Sequence, residues 1–84
     1  MKHAVLLLEG KETASEDTVA KHREYLAGLR GKGLLEASGP FRNTVGGLLI
    51  YNVEEFDKAY EIISNDPIVT SGCRTFELYT WANN

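Results

Sequence analysis

The order of periodic segments in this chain predicts an α+β fold of ferredoxin-like βαββαβ topology: four antiparallel strands with two helices on one face. Two observations carry that expectation. Strand-like runs and amphipathic helical runs follow one another in the order strand, helix, strand, strand, helix, strand, and each boundary is marked by glycine, proline or a capping residue. The length of 84 residues, 43% of them apolar, then limits the chain to a single domain, residues 1–84, with one core.

Residues 3–9 form a short apolar run between Lys2 and Gly10, which by its length is a buried strand. From Thr13 the pattern changes. Thr13 and Glu16 have capping-box spacing, Ser15 is a second candidate cap, and Glu16 with Asp17 suits a first helical turn. Val19, Leu26 and Leu29 then form one apolar stripe, which Gly31 and Gly33 terminate. Leu34–Ala37 is expected to be the second strand, with Ser38-Gly39-Pro40 as a turn or bend and Phe41–Val45 as a loop.

The third strand is expected over Gly46–Val53, and Asn52 with Glu55 is spaced as a capping box for a helix over 54–64. Phe56, Ala59, Tyr60 and Ile63 define that helix's expected inward face. Asp66-Pro67 breaks it, and a short turn leads to the last strand, Arg74–Trp81, whose residues alternate with period two.

Composition narrows the function. A chain this short is marginally stable unless a disulfide, a metal or a partner adds to it. Cys73 is the single cysteine, so no intrachain disulfide forms, and no Cys/His cluster has zinc-site spacing, His3 included. A homodimer is the expected stabiliser. It would cover an open sheet face carrying Tyr51, Tyr79 and Trp81. The net charge of −3 and the scattered nine Lys and Arg argue against nucleic acid, and the apolar run after Met1-Lys2-His3 is too short for a membrane span or leader. A cytoplasmic protein with no membrane association is expected.

Two residues stand out as chemistry. His22, three after Val19 and four before Leu26, lies on the apolar stripe of the first helix, where it is either a core histidine bonded to a carbonyl or a functional imidazole. Asp66, before Pro67, is suited to cap the following turn and retains acceptor sites for a second partner. The two helices pack on one sheet face, so a His22–Asp66 hydrogen bond is topologically allowed. Such a bond would fix the imidazole tautomer and leave the other ring nitrogen as a general acid or base. Ser38-Gly39-Pro40-Phe41 offers a bend, a hydroxyl and a ring, the makings of a small substrate pocket or of a plain turn. Arg42 is either an anion contact or a solvated loop residue, Arg23 and Tyr25 flank the histidine, and Cys73 is expected to be a packing residue.

Lys21-His22-Arg23-Glu24-Tyr25-Leu26, Gly33-Leu34 leading to Ser38-Gly39-Pro40, Gly46-Gly47 and Asp66-Pro67 occur in an order that resembles the YCII-related (YciI-like) family along nearly the whole chain. The resemblance implies a dimeric α+β barrel, akin in architecture to muconolactone isomerases and cofactor-free monooxygenases, with a His-Asp active site at His22 and Asp66. Family members of assigned activity dehydrochlorinate chlorinated hydroxyquinone-type rings. The expected function is therefore lyase- or isomerase-like acid–base chemistry on a small cyclic or aromatic metabolite, with no metal or organic cofactor. The alternatives are a dimeric small-molecule-binding module and a cofactor-free or haem-handling monooxygenase. The loop from Pro40 to Gly46 is shorter than in many relatives, which implies either a more open site or one shaped for another ligand.

Overall fold

The computed structural model describes residues 1–82. Its elements are β1 (Lys2–Glu9), α1 (Glu16–Gly31), β2 (Leu35–Pro40), β3 (Gly47–Asn52), α2 (Phe56–Ser64), α3 (Pro67–Thr70) and β4 (Arg74–Trp81). The strands form one antiparallel sheet in the order β2-β3-β1-β4, the ferredoxin-like arrangement. Among the described residues no helix is long and apolar enough to cross a membrane.

Alternation along β1 decides which face is buried. His3, Val5 and Leu7 are buried, whereas Ala4, Leu6 and Leu8 on the other face are half-covered. On the inward side Val5, Leu7, Leu49 and Tyr51 pack against Leu26 and Leu29 of α1, Ala59, Ile62 and Ile63 of α2, and Ile68 of α3. Among the described residues the far face has no covering layer, and there Leu48, Tyr79 and Trp81 are exposed.

Several local expectations are corrected. Ser15, not Thr13, caps α1: its Oγ accepts the Thr18 N–H at 3.1 Å, and Thr13 lies two residues before that cap. Asn52 does not cap α2. It is still strand, its N–H donating to the Leu34 carbonyl at 2.7 Å, and α2 starts later, behind Glu55, without a side-chain cap. The inward face of α2 is Ala59, Ile62 and Ile63; Phe56 and Tyr60 lie at its border, edge-on to His3 and Phe76 with ring centroids 6.3 and 5.7 Å away. Tyr51 is not on the open face but in the core, because it pairs with His3, an inward residue. The run Leu48-Leu49-Ile50-Tyr51 is apolar at every position, so its periodicity does not say which side faces in.

The largest correction concerns Ser38-Gly39-Pro40, which continues β2 as strand and does not turn. The register slips by one residue between Leu35 and Ala37: Leu35 opposes Tyr51, and Ala37 opposes Ile50. This bulge reverses the alternation after Glu36, so Ser38, opposite Leu49, and Pro40, opposite Gly47, face the helices. Without it Ser38 would face away from them.

The end of α1 delivers the chain to that strand. Gly33 adopts φ +75°, its N–H donates to Arg30 O at 3.0 Å, and the Leu34 N–H reaches back to Leu29 O at 2.9 Å, a glycine-terminated Schellman closure.

Candidate active site

His22 projects from α1, one turn before Leu26, towards the seam between the helices and the sheet. Asp66 lies at the junction of α2 and α3. Pro67 occupies the first turn of α3, where its missing N–H costs nothing, and Asp66 Oδ1 accepts the Ile68 N–H at 2.9 Å as the cap. The same oxygen accepts from His22 Nδ1 at 2.7 Å. Asp66 is fully buried and the His22 side chain is 15% exposed, so water competes little for the pair. With Nδ1 donating to a carboxylate, the lone pair is at Nε2.

That cavity has a volume of about 320 Å³ and lies between α1, α3 and the inward face of the sheet. Leu7, Leu26, Leu49 and Ile68 supply most of its apolar wall, and His22, Arg23, Ser38 and Arg74 supply polar groups. Ser38, Gly39 and Pro40 border it, as do Gly46 and Gly47 at the start of β3. Gly46 has φ +110°, and a Cβ there would run into the Leu7 carbonyl, so glycine is needed for the chain to pass over β1 at this point.

Phe41 is half-buried but stands outside the cavity wall, its N–H donating to Gly46 O at 2.9 Å across the loop. Arg42 is exposed and not among the residues that line the cavity, and Cys73 is buried in the core. Tyr25 supports the site from outside: its hydroxyl donates to Ile62 O at 2.6 Å, tying α1 to α2. Burial, together with the charges of Asp66 and Glu61, raises its phenol above the usual range.

The satisfied core histidine turns out to be His3. It is buried, and its ring nitrogens lie 3.1 Å from Val53 O and 3.1 Å from Thr80 Oγ1. Nε2–H donates to the carbonyl, and Nδ1 accepts from the threonine hydroxyl. Both nitrogens are engaged, whereas His22 has only Nδ1 hydrogen-bonded among the described residues and lines the cavity.

Two groups escaped the sequence reading. Arg74 reaches the cavity because it is in phase with Phe76 and Leu78, inward residues of β4, a signal present in the alternation. Arg30 Nη2 donates to Ser38 Oγ at 3.0 Å, a contact created by the β2 bulge, which no periodicity announces.

Fold and site together define a class: a ferredoxin-like α+β domain in which a carboxylate-anchored histidine borders a cleft between the helices and the sheet. The chain belongs to the YCII-related family, whose domain description, YCII-related domain, matches residues 1–82. It is 30% identical over 77 residues to the uncharacterized protein YjpA of Bacillus subtilis (strain 168), an alignment covering 92% of this chain and 91% of that one. Among solved structures it is similar to the 5-chloro-2-hydroxyhydroquinone dehydrochlorinase TftG from Burkholderia phenoliruptrix AC1100, in complex with 2,5-dihydroxybenzoquinone. The TM-score is 0.73 at 18% identity, covering 100% of this chain and 96% of that one. The latter likeness is one of fold, and the fold is the one the family resemblance implies.

Proposed function

We propose that this protein is a small-molecule enzyme in which His22 transfers a proton and Asp66 orients it. The observation that carries this is the 2.7 Å contact between Nδ1 and a fully buried carboxylate, made by a histidine that lines a ligand-sized cavity. Nε2 would take a proton from an activated carbon or hydroxyl of the ligand, and the electron pair left behind moves to an adjoining carbonyl oxygen. From there the same nitrogen returns the proton to another atom, which is isomerisation. In the other outcome the pair expels a leaving group such as chloride from the neighbouring carbon, which is elimination. Asp66 stabilises the imidazolium in either case. No step calls on a metal or an organic cofactor.

The substrate we infer is a small cyclic or aromatic metabolite, held along Ser38, Gly39 and Pro40. The likeness to TftG, a dehydrochlorinase whose ligand is a dihydroxybenzoquinone, supports that class. The working form is a cytoplasmic homodimer joined through the open sheet face; the exposed Leu48, Tyr79 and Trp81 on that face support the assembly.

The test is hydrogen exchange in deuterated water, followed by NMR on a panel of hydroxylated quinones, phenols and lactones. For any compound that exchanges or loses chloride, His22→Gln lowers the rate by about 10²- to 10⁴-fold. A variant as fast as the wild type overturns the role of His22.

A further inference from the structure

The cavity wall carries information about ligand charge. The chain has 12 Asp and Glu against nine Lys and Arg, yet two arginines, Arg23 and Arg74, line the cavity and no carboxylate does. Asp66 is fully buried, its Oδ1 is committed to His22 and the Ile68 N–H, and it is not among the lining residues. The acidic surplus of the chain is thus excluded from this one hollow.

Arg74 is the more organised of the two cations. It is half-buried at the first position of β4, and its Nη1 donates to the Cys73 carbonyl at 2.7 Å. That bond uses one of five N–H donors. Among the described residues no carboxylate lies within ion-pair distance of Arg74 or Arg23. Arg74 borders both this cavity and a second hollow beside Lys11 and Glu12, and a partly desolvated guanidinium at a mainly apolar wall is stabilised by an anion that enters beside it. Ser38 adds a neutral donor: its oxygen accepts from Arg30, so its own hydroxyl hydrogen remains to be donated to an acceptor in the cavity.

We propose that the cavity selects a small organic oxyanion, a carboxylate or phenolate on a ring-sized apolar body, anchored on the Arg74 guanidinium with Arg23 beside it and Ser38 as a further donor. The inference deepens the acid–base function above and rests on it for the location of the site. It gives that function a direction, because a cation set beside the ligand also favours the enolate oxygen formed when Nε2 removes a proton.

The test is equilibrium binding of three ring-sized probes, benzoate, its neutral isostere benzamide and the cation benzamidinium, by titration followed on the backbone amides of Gly46 and Gly47. In the wild type benzoate binds about tenfold or more tightly than benzamide, and benzamidinium does not bind. Arg74→Met brings benzoate and benzamide to within about twofold, Arg74→Lys recovers part of the preference, and Lys58→Met on the exposed side of α2 changes nothing. Equal binding of benzoate and benzamide to the wild type, failure of benzoate to bind, or a preference that survives Arg74→Met overturns the proposal. His22→Gln separates the two claims: anion preference that persists while proton transfer is lost supports both. Anion preference with wild-type turnover in His22→Gln defeats only the acid–base function, and turnover lost in His22→Gln without any anion preference defeats only this inference.

Discussion

One oxygen of Asp66 performs two tasks: Oδ1 caps α3 through the Ile68 N–H at 2.9 Å and holds His22 Nδ1 at 2.7 Å. Stability and the proposed proton transfer are therefore coupled at this atom, and substitutions separate them. Asp66→Ala removes both interactions and costs about 1 to 3 kcal/mol of stability. Asp66→Asn retains a capping oxygen, so its denaturation midpoint stays near that of the wild type, but it removes the negative charge facing the imidazole. The expected result is proton transfer slowed by about 10²-fold or more in a folded protein, checked by pairing chemical denaturation with the exchange assay.

Tyr51 presents the opposite balance. Its ring is fully buried in the core, yet its hydroxyl has no partner among the described residues, and neither does Asp66 Oδ2. Burial first, and the Asp66 charge second, raise the phenol above its usual value near 10. The unfolded chain therefore releases this proton before the folded one, and stability falls as pH rises past about 10. Tyr51→Phe keeps the ring, deletes the unpaired hydroxyl, and is expected to gain about 1 kcal/mol near neutral pH while losing less stability above pH 10. A fall in the neutral-pH midpoint would show that the hydroxyl has a partner in solution.

The open sheet face yields a prediction about assembly. Leu48 is 37% exposed, Tyr79 54% and Trp81 48%, on one face of the sheet, Leu48 on β3 and the two aromatics on β4 across β1, a surface that the helices do not reach. Replacing Leu48 and Trp81 together by lysine places two charges in the proposed interface. Sedimentation is expected to show a dimer for the wild type and a monomer for the variant, with a lower and less concentration-dependent melting temperature.

Gly46 tests the backbone that frames the cavity. Its φ of +110° and the Leu7 carbonyl beneath it leave no room for a side chain. Gly46→Ala is expected to cost about 1 to 3 kcal/mol and to weaken ligand binding, because the β3 entry must shift. Gly28→Ala, on α1 where a Cβ meets no other atom, is the matched control and is expected to be neutral or stabilising.

The fold was legible because its signals are local. Ser15, the Val19-Leu26-Leu29 stripe, Gly33, Asp66-Pro67 and the alternation of β4 each leave a mark in the chain, and the βαββαβ order follows. His22 was legible as a polar residue on an apolar stripe, and Asp66 as a cap with acceptor sites to spare. Their contact depends on tertiary packing across 44 residues, which spacing permits without specifying. The β2 bulge had no local signature, so Ser38 was given the right neighbourhood and the wrong conformation. Tyr51 was misplaced for a related reason: an unbroken apolar strand carries no phase.

The central claim is that one carboxylate fixes one imidazole with Nε2 turned to the cavity, and the tautomer of His22 reports it directly. Two-bond ¹H–¹⁵N correlation NMR on the alkaline side of the ring's titration is expected to show His22 protonated at Nδ1, and Asp66→Asn is expected to shift it towards a mixture. A ring protonated at Nε2 in the wild type, or a spectrum indifferent to Asp66→Asn, would contradict the account.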